Sequence, residues 1–174
     1  MRILALYDIH GNPDALEAVL ADPRAAGADG VVVGGDAVPG AFGARVLDRL
    51  AALSVPVHWV RGNGEREVAA AVGGPAPAAG DNAAEMAAFT ARELGAERAR
   101  PLGDLPLTVT IDGVLFCHAS PRRDDEMLTR ISTAERWSEA LAGVGVKLVV
   151  AGHTHQQDDR IVDGVRFVNA GSVG

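Results

Sequence analysis

Hydrophobic residues in the first third of the chain fall into three short runs, each followed by glycine and polar residues. The runs are Ile3–Tyr7, Val31–Val33 and Val55–Val60. After the first run, Asn12 and Pro13 predict the start of a helix, and residues 44–53 predict a second helix after the second run. Strand, loop and helix units in succession predict a parallel sheet with helices on its faces.

The second half of the chain has a different pattern, in which apolar runs are paired around Asp-Gly. Asp112-Gly113 and Asp163-Gly164 each lie between two such runs, which is a strong hairpin signal. The predicted strands are 107–111, 114–118, 146–151, 160–162 and 165–168. An α/β half followed by a strand-richer half predicts two sheets packed face to face between helices.

Two helices are predicted outside the first third. One covers residues 83–98, with Asn82 and Glu85 spaced as a capping box, and the other covers 133–141. The segment Gly73–Asn82 is rich in glycine, proline and alanine, and we interpret it as a surface connection rather than a domain boundary. The sequence contains no internal repeat.

Composition and charge narrow the class of protein. With 174 residues, 48% of them hydrophobic, the chain is expected to form one domain spanning residues 1–174. The net charge of −7 argues against stable binding of nucleic acid through its phosphates. A single cysteine, Cys117, excludes an intramolecular disulfide, and no run approaches the ~20 apolar residues of a membrane span. We therefore expect a cytoplasmic protein without membrane association; a homo-oligomer remains open.

Ligand-type side chains follow five of the predicted strands. They are Asp8, His10, Asp36, Asn63, His118, His153 and His155. Taken singly, each has an ordinary explanation as a turn, cap or loop residue. The carboxyl ends of strands in an α/β sheet lie at one edge, and imidazole and carboxylate together suit divalent ions of borderline softness. The coincidence of five strand ends therefore predicts a metal site.

Five ordered motifs show a family resemblance. They are DIHGN at 8–12, GD at 35–36, GN at 62–63, CHASPR at 117–122 and GHTH at 152–155. The set resembles the calcineurin-like metallophosphoesterases, most closely a small bacterial branch with DIHGN and HxSPR motifs, and it spans essentially the whole chain. The resemblance implies a four-layer α/β/β/α sandwich. Because relatives usually continue with further strands after Gly174, a naturally short form and a truncated form lacking the last strands both stay open.

The resemblance also implies a site and an activity. One divalent ion would be held by Asp8, His10, Asp36 and His155, and the other by Asp36, Asn63, His118 and His153, with Asp36 bridging. Mn, Fe, Zn and Ni all suit such ligands. The implied activity is hydrolysis of a small-molecule phosphoester by in-line attack of a hydroxide held between the two ions. Asp36, Asn63 and His118 are the expected catalytic residues.

The third motif departs from the family pattern. Many relatives have a histidine after Gly-Asn that is thought to protonate the leaving group, whereas this chain has Gly64 followed by Glu65. General-acid help is typically worth ~10² to 10⁴-fold, so its loss favours phosphodiesters with good leaving groups. A phosphomonoesterase, a protein or dinucleotide-polyphosphate phosphatase, and a non-catalytic protein-binding scaffold are the alternatives. Glu65, Arg66 or a metal-bound water could replace that histidine, but for Glu65 we expect a surface role at a helix start.

Three further residues are candidates for substrate contact. Arg122 and Arg123 have the side chain best suited to bidentate binding of phosphate, although a solvated loop explains them equally well. Asn12 is the last residue of the first motif and is both a candidate substrate contact and the expected helix cap.

Overall fold

The computed structural model describes residues 1–174, which form two β-sheets and six α-helices. The strands are β1 (Ile3–Leu6), β2 (Gly30–Val33), β3 (Val57–Trp59), β4 (Thr108–Ile111), β5 (Val114–Cys117), β6 (Leu148–Ala151), β7 (Asp158–Val162) and β8 (Val165–Asn169). The helices are α1 (Pro13–Leu20), α2 (Gly43–Ala51), α3 (Asn63–Ala71), α4 (Asn82–Leu94), α5 (Ala96–Ala99) and α6 (Ala134–Ala140), with a 3₁₀ turn at Arg100–Asp104.

The first sheet is parallel and the second is mixed. The order in the first sheet is β1-β2-β3, and in the second it is β4-β5-β6-β8-β7. Both predicted hairpins are confirmed: β4 pairs antiparallel with β5, and β7 with β8. Their turns contain Asp112 and Asp163, each at φ 49°, as the Asp-Gly signal requires.

Alternating side chains on β2 separate two layers of the core. Val31 and Val33 pack towards α1 and α2 with Leu16 and Leu50, whereas Val32 packs with Phe116 between the two sheets. The opposite face of the second sheet packs on α6, in a cluster that includes Trp137 and Phe167. The order of layers is helix, sheet, sheet, helix, which confirms the predicted four-layer α/β/β/α sandwich.

The predicted helix over 83–98 and its capping box are wrong in detail. The segment forms two helices, α4 and α5, separated by Gly95, whose φ of 74° ends the first helix. The N-cap of α4 is Asp81, whose side chain accepts a hydrogen bond from the Ala84 amide at 3.1 Å. Glu85 instead accepts from the Gly80 amide at 3.2 Å, so the cap lies one residue earlier than the spacing suggested.

Two other helices have side-chain N-caps, and the first of these caps, Asn12, is the predicted one. Asn12 caps α1, with its Oδ1 accepting from the Ala15 amide at 3.1 Å, and Thr133 caps α6 by accepting from Arg136 at 3.3 Å. The Asn12 side chain therefore has a structural role as the N-cap of α1, in the loop that follows β1. None of the helices is long and apolar enough to cross a membrane.

Candidate metal centre

The ligand-type side chains converge where the strands of both sheets end. They fall into two groups, and within each group the ligand atoms all lie within 4.8 Å of one another. The first group is Asp8, His10 and His155; the second is Asp36, His118 and His153. Each group takes one histidine of the GHTH segment: His155 belongs to the first and His153 to the second.

The two groups meet at two carboxylates. Asp36 Oδ2 lies 4.0 Å from His10 Nε2 of the first group and 3.5 Å from His118 Nε2 of the second. Asp8 Oδ1 lies 3.3 Å from His155 Nε2 and 3.8 Å from His118 Nε2. Asp36 Oδ2 and Asp8 Oδ1 therefore each lie within 4.0 Å of a histidine from both groups.

The backbone at the site is held in an unusual conformation. Five candidate ligands have positive φ: Asp8 (54°), His10 (49°), Asp36 (53°), His153 (68°) and His155 (56°). The two other non-glycine residues with positive φ are Asp112 and Asp163 of the hairpin turns. Left-handed backbone costs energy for residues with a side chain and persists where surrounding structure fixes it, often at functional sites. Here the left-handed backbone occurs at the ligand-type residues that follow the strands, and these side chains converge on a common centre.

Three buried polar atoms at the centre have no hydrogen-bond partner. They are Asp8 Oδ1, Asn63 Oδ1 and His118 Nε2. Leaving a buried polar group unsatisfied costs roughly 1–3 kcal/mol each, so three at one place are expected only if a ligand satisfies them. A carboxylate oxygen, an amide oxygen and an imidazole nitrogen are all cation ligands, so the residues present fit divalent metal ions.

The tautomer of His118 is fixed by the backbone. Its Nδ1 lies 3.0 Å from the Gly34 carbonyl oxygen, which can only accept, so Nδ1 is the protonated donor and Nε2 faces the centre. Burial acts to lower the pKa of His118, but the neighbouring carboxylates of Asp36 and Asp8, which stabilise the protonated ring, raise it to about 9. A metal ion at Nε2 therefore competes with a proton.

The amide of Asn63 is oriented from α3. Its Nδ2 donates to Glu67 Oε1 at 3.2 Å, one helical turn further on, which directs Oδ1 into the centre. Oxygen and nitrogen of an amide have nearly the same shape, so this contact decides which atom a cation would meet. The sequence did not single out Glu67, because its role is to accept a hydrogen bond from the Asn63 side chain and this contact is visible only in the structure.

Glu65 is not at the surface, contrary to expectation. Its side chain is fully buried, and it accepts hydrogen bonds from the amides of Asp36 and Gly62 at 2.8 Å and of Val38 at 3.2 Å. Burial, followed by the charge of Asp36, raises its pKa to about 7. Glu65 thus ties the loop after β2 to the start of α3; the helix-start part of the prediction is correct and the surface part is wrong.

Gly64 stands where no side chain fits. A Cβ there would collide with the Val38 carbonyl oxygen and lie 2.6 Å from Pro39 Cδ and 2.8 Å from Asp36 Oδ1. The Gly64 amide donates to Asp36 Oδ1 at 2.7 Å, which fixes that carboxylate with Oδ2 facing both ligand groups. The loop at Val38 and Pro39 fills the space that a side chain at position 64 would need.

The two arginines proposed for substrate contact are paired with acids. Arg122 donates to both oxygens of Glu126, at 2.6 and 2.9 Å, and Arg123 donates to Asp125 at 2.9 Å. Neither has its guanidinium free, although both remain exposed. Tyr7 is a buried packing residue whose hydroxyl donates to the Val150 carbonyl at 2.8 Å.

Two groups of Asp and His side chains at the strand ends of two packed sheets are suited to binding divalent metal ions. The calcineurin-like phosphoesterase superfamily domain matches the chain over residues 1–174. The chain therefore belongs to the calcineurin-like phosphoesterase superfamily. No curated protein matches it in a sequence search.

Solved structures agree with this assignment. A metallophosphoesterase from Sphaerobacter thermophilus is 26% identical, with a TM-score of 0.72 over 100% of this chain and 77% of its own. A structure described as a novel archaeal phosphodiesterase is 17% identical, with a TM-score of 0.55 over 99% of this chain and 84% of its own. A cold-active protein-tyrosine phosphatase of a psychrophilic Shewanella is 16% identical, with a TM-score of 0.60 over 97% and 70%. The last two likenesses concern the fold alone.

Proposed function

We propose that residues 1–174 form a single metallophosphoesterase domain that hydrolyses phosphodiesters of small molecules with two divalent metal ions. The proposal is supported chiefly by two adjacent ligand groups: Asp36 Oδ2 of the second lies 4.0 Å from His10 Nε2 of the first, and three buried polar atoms near them have no hydrogen-bond partner. Asp8, His10, Asp36 and His155 would hold one ion; Asp36, Asn63, His118 and His153 would hold the other. Mn, Fe, Zn and Ni all suit this donor set.

Two bound divalent ions supply a nucleophile at neutral pH and neutralise charge on the phosphoryl oxygens. The residues of the chain hold the donor atoms in place: Gly64 fixes Asp36, Gly34 fixes His118, and Glu67 orients Asn63. Two divalent ions held by these residues would also attract the anionic phosphoryl group through their positive charge.

The preference for diesters is supported by the surroundings of Gly64. No general-acid side chain is present at position 64, and the loop at Val38 and Pro39 takes up the space. Without a side chain that donates a proton, the leaving group must depart as a stable anion. Aryl and nucleotide-type phosphodiesters meet this condition better than alkyl phosphate monoesters.

The test compares a diester and a monoester that both release 4-nitrophenolate, so that a difference in rate reflects the class of ester and not the quality of the leaving group. Metal-stripped protein is loaded with manganese and assayed with bis(4-nitrophenyl) phosphate and 4-nitrophenyl phosphate. We expect kcat/KM to be higher for the diester, and the replacement Asp36→Asn to lower it at least about 100-fold because the shared ligand loses its charge. Asp112→Asn is the matched control, since Asp112 has a similar φ in an exposed turn.

The alternatives give different results in the same assay. A higher kcat/KM for the monoester would indicate a phosphomonoesterase. Manganese binding without turnover of either substrate would indicate a scaffold. Turnover that is independent of manganese and of Asp36 would contradict the proposed centre.

A further inference from the structure

A polar cavity lies directly beside the candidate metal centre, at the same edge of the sheets. Its volume is about 420 Å³, within the range of roughly 300 to 1,000 Å³ found for ligand sites. Its lining contains no hydrophobic residue: Arg130, His155, Gln156, Gln157, Gly171 and Ser172. His155 belongs to both the cavity and the first ligand group, so a substrate held at the centre would border this space.

The cavity is built from segments that also shape the centre. Gln156 and Gln157 directly follow His155, and Ser172 donates a hydrogen bond to the Asp8 carbonyl at 2.9 Å. Gly171 follows β8, where Asn169 donates to the Gly152 carbonyl at 2.6 Å. The position of the cavity relative to the metal centre is therefore fixed by the same loops.

Arg130 is the charged residue of this lining that is not a candidate metal ligand. One of its guanidinium nitrogens donates to the Gln157 carbonyl at 2.9 Å, and no carboxylate pairs with it. Arg122 and Arg123 on the same loop are each engaged by an acid. The remaining donors of Arg130 are thus free for a ligand, and a guanidinium with free donors is suited to bidentate contact with carboxylate or phosphate.

We propose that this cavity is a substrate subsite that binds an anionic, hydroxyl-bearing group on the part of the phosphodiester that is not the leaving group. Arg130 binds the anion, and the amides of Gln156 and Gln157 donate to and accept from hydroxyls. This inference rests on the proposed phosphodiesterase function. It names a substrate class within that function: diesters whose retained half carries a second negative charge.

The test uses two diesters that differ only in the 3′ substituent of the retained half, which is a hydroxyl in one and an anionic phosphate in the other. Thymidine 5′-(4-nitrophenyl phosphate) and its 3′-phosphorylated form release the same leaving group and share the same nucleoside. With the manganese-loaded protein, we expect kcat/KM about tenfold higher for the 3′-phosphorylated substrate, expressed as a lower KM, which matches one charge-assisted contact at a partly exposed site.

Variants of Arg130 test whether the preference for the 3′-phosphorylated substrate arises in the cavity. Arg130→Gln should bring the ratio of the two kcat/KM values close to one, and Arg130→Lys should keep part of it. Arg92→Gln, on the exposed side of α4, is the matched control and should keep the wild-type ratio. A wild-type ratio near one, or an unchanged ratio in Arg130→Gln, would overturn the subsite alone. Failure to release nitrophenol from either diester would overturn the proposed function and the subsite with it.

Discussion

Replacing Glu67 by leucine is expected to weaken metal binding although Glu67 is not a candidate ligand. The Glu67 carboxylate accepts a hydrogen bond from Asn63 Nδ2 at 3.2 Å and leaves Oδ1 facing the centre. Leucine has a similar size but no acceptor. In the variant the amide can turn, and Nδ2, which is not a metal ligand, would face the ion for part of the time.

The size of the effect follows from that one hydrogen bond. Bonds to a charged group are worth about 1.5–3 kcal/mol, and Glu67 is half-buried, so the low end of the range applies. A loss of about 1.4 kcal/mol of binding free energy corresponds to a tenfold higher dissociation constant for the metal. Variants that remove the partner of a metal ligand typically lose 10 to 100-fold in affinity, so about tenfold is consistent with this estimate.

Titration calorimetry of metal-stripped protein with manganese measures this directly. Glu67→Gln keeps an acceptor oxygen without the charge and should stay within about threefold of the wild type, because a neutral hydrogen bond still orients the amide. Glu93→Leu removes an exposed acid from α4 and controls for net charge. Equal affinity in wild type and Glu67→Leu would refute the reasoning. Equal losses in Glu67→Gln and Glu67→Leu would show that charge matters and orientation does not.

Three further outcomes are expected. Gly64→Ala should lower the free energy of unfolding by about 1–3 kcal/mol in a urea titration, because the added Cβ collides with the Val38 carbonyl; wild-type stability would contradict the packing. In metal-free protein, the pKa of His118 is raised from 6.5 to about 9, so its contribution to stability is complete below about pH 6.5 and is lost as pH rises through 9. Scanning calorimetry should show a falling unfolding temperature over that range, and manganese should remove the dependence. Cys117 is buried with a strongly raised pKa, so a disulfide reagent at pH 8 should modify it only after unfolding.

The positions of the candidate ligands could be predicted from the sequence because they depend on local pattern. Five of the apolar runs are followed by a ligand-type residue, and in a parallel sheet the ends of β1 and β2 must lie at one edge. The hairpins at Asp112 and Asp163 were equally local. The four-layer arrangement followed from the motif resemblance.

The roles of the acids around the ligands could not be predicted, because they depend on contacts between distant segments. Glu65 lies two residues after the candidate ligand Asn63 and looks like an ordinary first-turn acid, yet it is buried by the loop at Asp36, 29 residues earlier. The collision at Gly64 arises from the same loop. For Arg122 the sequence shows a suitable charge, but its pairing with Glu126 depends on how the loop turns.

Anomalous diffraction from crystals of the manganese-loaded protein tests the central claim most directly. We predict two anomalous peaks per chain on either side of the Asp36 carboxylate, one in contact with Asp8, His10 and His155, and the other with Asn63, His118 and His153. A single peak, or peaks away from these side chains, would contradict a two-metal centre.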